Sequence, residues 1–152
     1  MVLLRHPAAG WEIRPHTRED ASGILSVFEL CLEELPRRKQ KQASEFERLR
    51  YLLRTSTIPV AVEPSAGLIG FMVLQADAGY VSHLFVDPDW RFCGVASGLL
   101  NVGRSISGKR LCLDVDMDNP GAIQAYERIG FQETISHGLP GDHQKRLYGP
   151  ET

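Results

Sequence analysis

The stretch DPDWRFCGVASGLL, residues 87–100, decides how the rest of the chain is read. It follows an apolar strand pattern, YVSHLFV at 80–86, passes through an Asp87-Pro88 turn and enters helical spacing at Leu99 and Leu100. Gly94, Ala96, Ser97 and Gly98 crowd the start of that helix. Glycine costs helix stability and none of the four brings much packing area, so the backbone there is open to close approach. Amides at a helix N-terminus have no intrahelical acceptor, and the helix dipole favours an anion beside them. Two readings fit the stretch alone: a main-chain cradle for phosphate, or small residues that let the helix pack tightly on a sheet.

Working outward, WEIRP at 11–15 alternates as a strand and stops at Pro15. Thr17 with Glu19 and Asp20 signals a helix start, and Ile24, Leu25, Val27, Phe28, Cys31, Leu32 and Leu35 continue at helical spacing until Pro36. RRKQKQ at 37–42 reads as a charged, solvated link, and SEFERLRYLLR at 44–54 as a second amphipathic helix. IPVAVE at 58–63 and LIGFMVLQ at 68–75 read as a hairpin, with YVSHLFV as a third strand. After the helix that follows residue 94, KRLCLDV at 109–115 alternates like a strand. Asp118-Asn119-Pro120 then starts a helix that Gly130 ends, and FQETISH at 131–137 and KRLYG at 145–149 supply two closing strands. Residues 1–10 read as a loose leader and 11–150 as one α/β domain with a mixed sheet.

The bulk properties narrow the class. A chain of 152 residues is long enough for a real core without staples, and a net charge of -2 gives no strong attraction to nucleic acid or anionic membrane. Cys31, Cys93 and Cys112 lie far apart and leave an odd thiol, which argues against a disulfide framework or zinc site and fits a reducing cytoplasm. No run approaches the roughly 18 apolar residues of a membrane span. GRSISGKR at 103–110 has near-Walker spacing, but Arg110 replaces the magnesium-holding hydroxyl and the segment precedes a strand instead of following one, so it reads as a helix end and turn.

A second stretch sharpens the reading of the first. NPGAIQAYERIGF, 119–131, sets Asn119 at a strand end, small Ala122 and Ala125 on the helix, and Tyr126 one turn before Gly130-Phe131. Together, RFCGVA and this stretch resemble the acyl-CoA loop and following helix of the GNAT superfamily of acetyltransferases, and the likeness of element order covers about residues 11–149. The resemblance implies a mixed, mostly antiparallel α/β (α+β) sheet of about seven strands with about four helices on its two faces.

It also implies acetyl-CoA as the acyl-donor co-substrate, with no metal. The main chain of Phe92, Cys93, Gly94, Val95, Ala96 and Ser97 is then expected to bind the pyrophosphate, with Arg91 at the loop start. Phe85 and Val86 are expected to pair their backbone with the pantetheine arm, Asn119 to touch its far side, and Ala122 and Ala125 to leave it room. Phe92 and Cys93 depart from the family pattern, where a small and a basic or polar residue are common.

Attack of an amine on a thioester needs a neutral amine, a donor for the oxyanion and an acid for the thiolate. The resemblance puts Tyr126 in the acid's place, or else Tyr126 is a buried aromatic with a satisfied hydroxyl. The Val86 amide is the expected oxyanion donor. Many relatives carry a Glu in the strand before the loop; here that segment offers Ser82 and His83, whose imidazole titrates near 6.5 when unperturbed, and Glu33 is a weaker candidate. The expected reaction is direct acetyl transfer to a primary amine of a small molecule, by a monomer or homodimer. A protein N-terminus or lysine as acceptor, and a catalytically silent acyl-CoA sensor, are the alternatives.

Overall fold

A computed structural model describes residues 1–133 and 143–151. Its strands are β1 (Leu4–His6), β2 (Trp11–Pro15), β3 (Pro59–Glu63), β4 (Gly67–Gln75), β5 (Tyr80–Val86), β6 (Cys112–Asp116) and β7 (Gln144–Tyr148). They form one seven-stranded sheet whose spatial order follows the chain, antiparallel throughout except between β5 and β6. The helices are α1 (Ala21–Leu32), α2 (Pro36–Lys39), α3 (Gln42–Thr55), α4 (Val95–Ser107) and α5 (Pro120–Arg128).

Each face of the sheet has its own apolar cluster. Ile24, Val27, Phe28, Cys31 and Leu32 of α1 share one helical face and meet Leu49 and Leu52 of α3 over Val60, Phe71 and Val73. On the other face, Val95, Leu99, Leu100 and Val102 of α4 pack on Trp11, Ile13, Ala61 and Met72. Burying a side chain such as Phe28 or Phe71, both fully enclosed, is worth about 1.5–3 kcal/mol. Helix α1 is entered through a capping box of Thr17 and Asp20, and Asp20 also takes a bidentate bond from Arg14 at 2.7 and 3.0 Å, which holds its carboxyl below the usual range.

Two expectations need correction, and a third is described only in part. Residues 4–6 are not loose leader: they pair with 11–13 as β1, because the turn through Gly10 (φ +82°) and the Ala9 N–H donated to His6 Nδ1 closes a hairpin. The run 37–42 is not simply a solvated link, since Pro36 starts a helical turn that carries Arg38 inward. Of the strand expected at 131–137, Gln132 makes one antiparallel bridge to Tyr148, and residues 134–137 lie outside the described residues. Among the described residues no helix is long and apolar enough to cross a membrane.

Candidate functional site

Strands β5 and β6 pair at only two positions, Tyr80–Cys112 and Val81–Leu113, and diverge beyond them. The gap between them opens into a cleft of about 720 Å³ bordered by Ser82–Val86, Asp114–Asp116, the loop before α4, and α5 residues including Ala122, Ala125 and Tyr126. Antiparallel ladders alternate, and the Asp87 N–H donated to the Ile69 carbonyl (2.8 Å) sets the phase between β4 and β5. It turns the backbone of Phe85 toward Phe71 and that of Leu84 and Val86 into the cleft. Phe85 is therefore corrected as a main-chain contact: its polar groups are spent inside the sheet, while its ring lines the cleft beneath the Arg38 guanidinium, 5.8 Å away. Leu84 takes its place beside Val86, and the Val86 carbonyl also accepts from Cys31 Sγ at 3.4 Å.

The loop places both readings of its small residues side by side. Gly94 is the N-cap of α4 at φ +79°, with no capping side chain, and Phe92 holds φ +65°, a left-handed conformation that glycine adopts without strain. That is the physical reason a small residue suits position 92; here the ring stands fully exposed at the cleft mouth. Among the described residues no acceptor meets the N–H groups of Phe92 to Ser97, and Gly98 is the first to bond, to the Gly94 carbonyl at 3.0 Å. Helix α5 differs, for Asn119 Oδ1 accepts from the Ala122 N–H at 3.3 Å and so caps its own helix. Gly98 answers to packing instead, since a Cβ there would lie 2.6 Å from the Trp11 ring. Ala96 and Ser97 line the cleft, whereas the Val95 side chain is core and leaves only its main chain for a ligand. The Cys93 side chain packs against the apolar cluster under the loop and its carbonyl accepts from the Trp11 indole at 2.9 Å, so its N–H is the group it leaves for a ligand.

At the other end, the register between β4 and β5 slips so that Ser82 is an extra residue opposite the Val73/Leu74 step. The bulge sets Ser82 Oγ 2.9 Å from His83 Nδ1. His83 is 3% exposed, with Phe28 and Phe85 packed edge-on and tilted against it. Burial, with added repulsion from Arg38 and Arg48, pushes its pKa down to about 3. The imidazole is thus neutral at physiological pH, not poised near 6.5. Tyr126 lines the cleft with its ring 5.7 Å from Phe131, and burial pushes its phenol up to about 12 against the opposing charge of Arg38. Among the described residues its hydroxyl has no hydrogen-bond partner.

Glu33 is not in the cleft; it points outward and pairs with Lys39. Its neighbour Glu34 lines the wall and binds Arg91, which lowers the carboxyl's pKa and anchors the loop start to the turn just after α1. Arg38 faces Asp116 at 3.8 Å, and Arg37 meets Asp118 at 3.0 Å, so α2 is tied across the cleft to the far side of the gap. Glu34 and Arg38 lie in the mixed-charge segment from Leu30 to Arg54 expected to border the acceptor site, where charge alone does not distinguish them from their neighbours and Pro36 as a helix start is the signal that turns Arg38 inward. Asp114 is held by Arg146 at 2.8 and 3.0 Å and by the Tyr80 hydroxyl at 2.9 Å. Among the described residues no group of three or more His, Cys, Asp or Glu side chains is placed to hold a metal ion.

Comparison with known proteins agrees with this geometry. Residues 54–133 match the acetyltransferase (GNAT) domain. The chain is 34% identical over 92 residues to peptidyl-lysine N-acetyltransferase YjaB of Escherichia coli K12, covering 60% of each protein. It spans less than two thirds of the length of the curated relatives it matches. Its fold is similar to that of PH1933 from Pyrococcus horikoshii OT3, at a TM-score of 0.71 and 19% identity over 93% of this chain and 99% of that one. A paia N-acetyltransferase from Thermoplasma acidophilum, solved in complex with coenzyme A, superposes at a TM-score of 0.68 and 17% identity over 91% and 98%. With more than half of its length matched by the domain, and with a splayed sheet of the same architecture, the chain belongs to the GNAT acetyltransferase family.

Proposed function

We propose that this chain transfers the acetyl group of acetyl-CoA to a primary amine of a small acceptor, by direct attack of the amine on the thioester. The observation that carries the reading is the continuity of one cleft. Six consecutive N–H groups at its mouth that have no acceptor among the described residues fit a pyrophosphate, and the outward backbone of Leu84 and Val86 fits an extended amide-bearing arm. The coenzyme A held by the Thermoplasma relative supports the same ligand here.

Acetyl-CoA brings the activated thioester, and the chain supplies orientation and charge control. The Val86 N–H polarises the acetyl carbonyl, and Asn119, Ala122 and Ala125 form the wall facing β5. Ser82 and His83 take up the hydrogen bond of the incoming amine. His83 holds a proton only transiently, because its protonated form is strongly acidic. Arg38 and Arg48 add positive charge at this end, so the acceptor binds as the neutral amine. Tyr126 remains protonated at neutral pH and donates to the departing thiolate.

A lysine side chain is the second reading, favoured by the activity printed for YjaB. A turnover assay that follows free CoA thiol, run with small amines and with a lysine peptide, separates the two. Binding of acetyl-CoA without thiol release on any amine would sink both and leave a sensor. Ser97→Glu tests the cradle itself. It places a carboxylate beside the free amides, and CoA affinity is expected to fall at least about tenfold, while the melting temperature holds or rises because an acidic first turn suits the helix dipole. Unchanged affinity in calorimetric titration would remove the loop as the phosphate site.

A further inference from the structure

The chain crosses itself once beneath the phosphate loop, where β2 meets the residues just before α4. Trp11 is 2% exposed, and its indole N–H donates to the Cys93 carbonyl at 2.9 Å. Its ring underlies the helix start, since added Cβ atoms would lie 3.8 Å from it at Gly94 and 2.6 Å at Gly98. A peptide unit carries its carbonyl and the next N–H on opposite sides. Drawing the Cys93 carbonyl down toward Trp11 therefore turns the Gly94 N–H up and away from the sheet. The two residues flanking Cys93 both have positive φ, +65° at Phe92 and +79° at Gly94, so the segment is not held by ordinary backbone preference. Gly94 is open to either peptide orientation, and Phe92 is strained in the one observed.

We propose that Trp11 is a positioning residue for the phosphate loop: its indole N–H pins the Cys93 carbonyl inward and so keeps the Gly94 N–H and its neighbours aimed at the pyrophosphate. The inference rests on the reading of residues 92–97 as the CoA cradle. It assigns no contact between Trp11 and ligand. The β1–β2 hairpin becomes part of the cofactor site through this bond, with His6 tilted on the Trp11 ring at 5.0 Å as its outer support.

The test separates orientation from packing. Trp11→Phe removes the donor and some ring volume. Replacing Trp11 by benzothienylalanine, an isostere with sulfur in place of N–H, removes the donor alone, and Ile13→Val perturbs the same cluster with the donor intact. Calorimetric titration with CoA and acetyl-transfer kinetics with S-acetylpantetheine, which lacks the pyrophosphate, are the two readouts. Loss of one buried hydrogen bond predicts CoA binding weakened roughly tenfold in both Trp11 variants, with the KM for S-acetylpantetheine and the kcat at saturating acetyl-CoA unchanged. Ile13→Val is expected to lower the melting temperature and leave CoA affinity as it was. Equal CoA affinity in the benzothienylalanine protein, or parallel losses for CoA and S-acetylpantetheine, overturns the assignment while leaving the cradle in place. Wild-type protein that fails to bind CoA overturns both.

Discussion

Tyr126→Phe is expected to lower kcat by roughly 10²–10³-fold and to change the dissociation constant for CoA by less than about threefold. The phenol sits in the cleft wall and, with its pKa near 12, is fully protonated at pH 7. A thiol of pKa about 8.5 leaves as a weaker base than phenolate, so complete proton transfer from Tyr126 is uphill by three to four pKa units, about 5 kcal/mol. Donating a hydrogen bond to the sulfur as charge develops costs far less, and Arg38 lowers the phenol's pKa in the helpful direction. Phenylalanine keeps the packing on Phe131 and removes only the donor. A kcat that does not move in single-turnover measurements would strip Tyr126 of the role, and a basic limb in wild type well below pH 10 would have to come from another group.

Acid is expected to unfold the protein early, through His83. The folded-state pKa near 3 lies below the unfolded value of about 6.5, so as pH falls through 6.5 the unfolded chain takes up a proton that the native imidazole refuses. Stability is therefore constant in this respect above pH 6.5 and declines below it, by up to about 1.4 kcal/mol per pH unit, toward a total on the order of 5 kcal/mol near pH 3. Between pH 7.5 and 4.5 the loss is about 3 kcal/mol. His83→Gln should flatten that slope in urea titrations, whatever its effect on stability at pH 7.5. Parallel curves for the two proteins would mean that the imidazole is not held neutral in the fold. Asp20 and Glu34, both lowered by arginine partners, add their own losses in the same direction at lower pH, and the difference between wild type and variant cancels them.

Periodicity made most of the fold legible: the alternation of Trp11 and Ile13, the helical stripe from Ile24 to Leu32, and the apolar run of β4 each correspond to a buried face. Short elements escaped it. Leu4–His6 is too brief to show alternation, and its strand character comes from pairing with β2. Helix α2 is a single turn. In the site, the small residues at 94–98 marked the loop, but one pattern covered two causes, a left-handed cap at Gly94 and the Trp11 ring at Gly98. The direction in which Phe85 spends its backbone depends on ladder phase, and the neutral state of His83 on aromatic rings from another element. Arg38 and Asp116, far apart along the chain, meet only because α2 folds over the gap. None of these is a property of a local window.

The two-pair junction between β5 and β6 leaves the sheet divided along its hydrogen bonds although its side chains are continuous, for Leu113 and Val115 share one apolar cluster with Val81 and Leu100. An extended ligand lying along Leu84 and Val86 would complete the missing ladder as a borrowed strand. Binding would then be a folding event for the sheet as well as occupancy of a pocket. The wedge should close into one cooperative unit, and the amides of β6 and β7 should become as slow to exchange with solvent as those of β3 and β4.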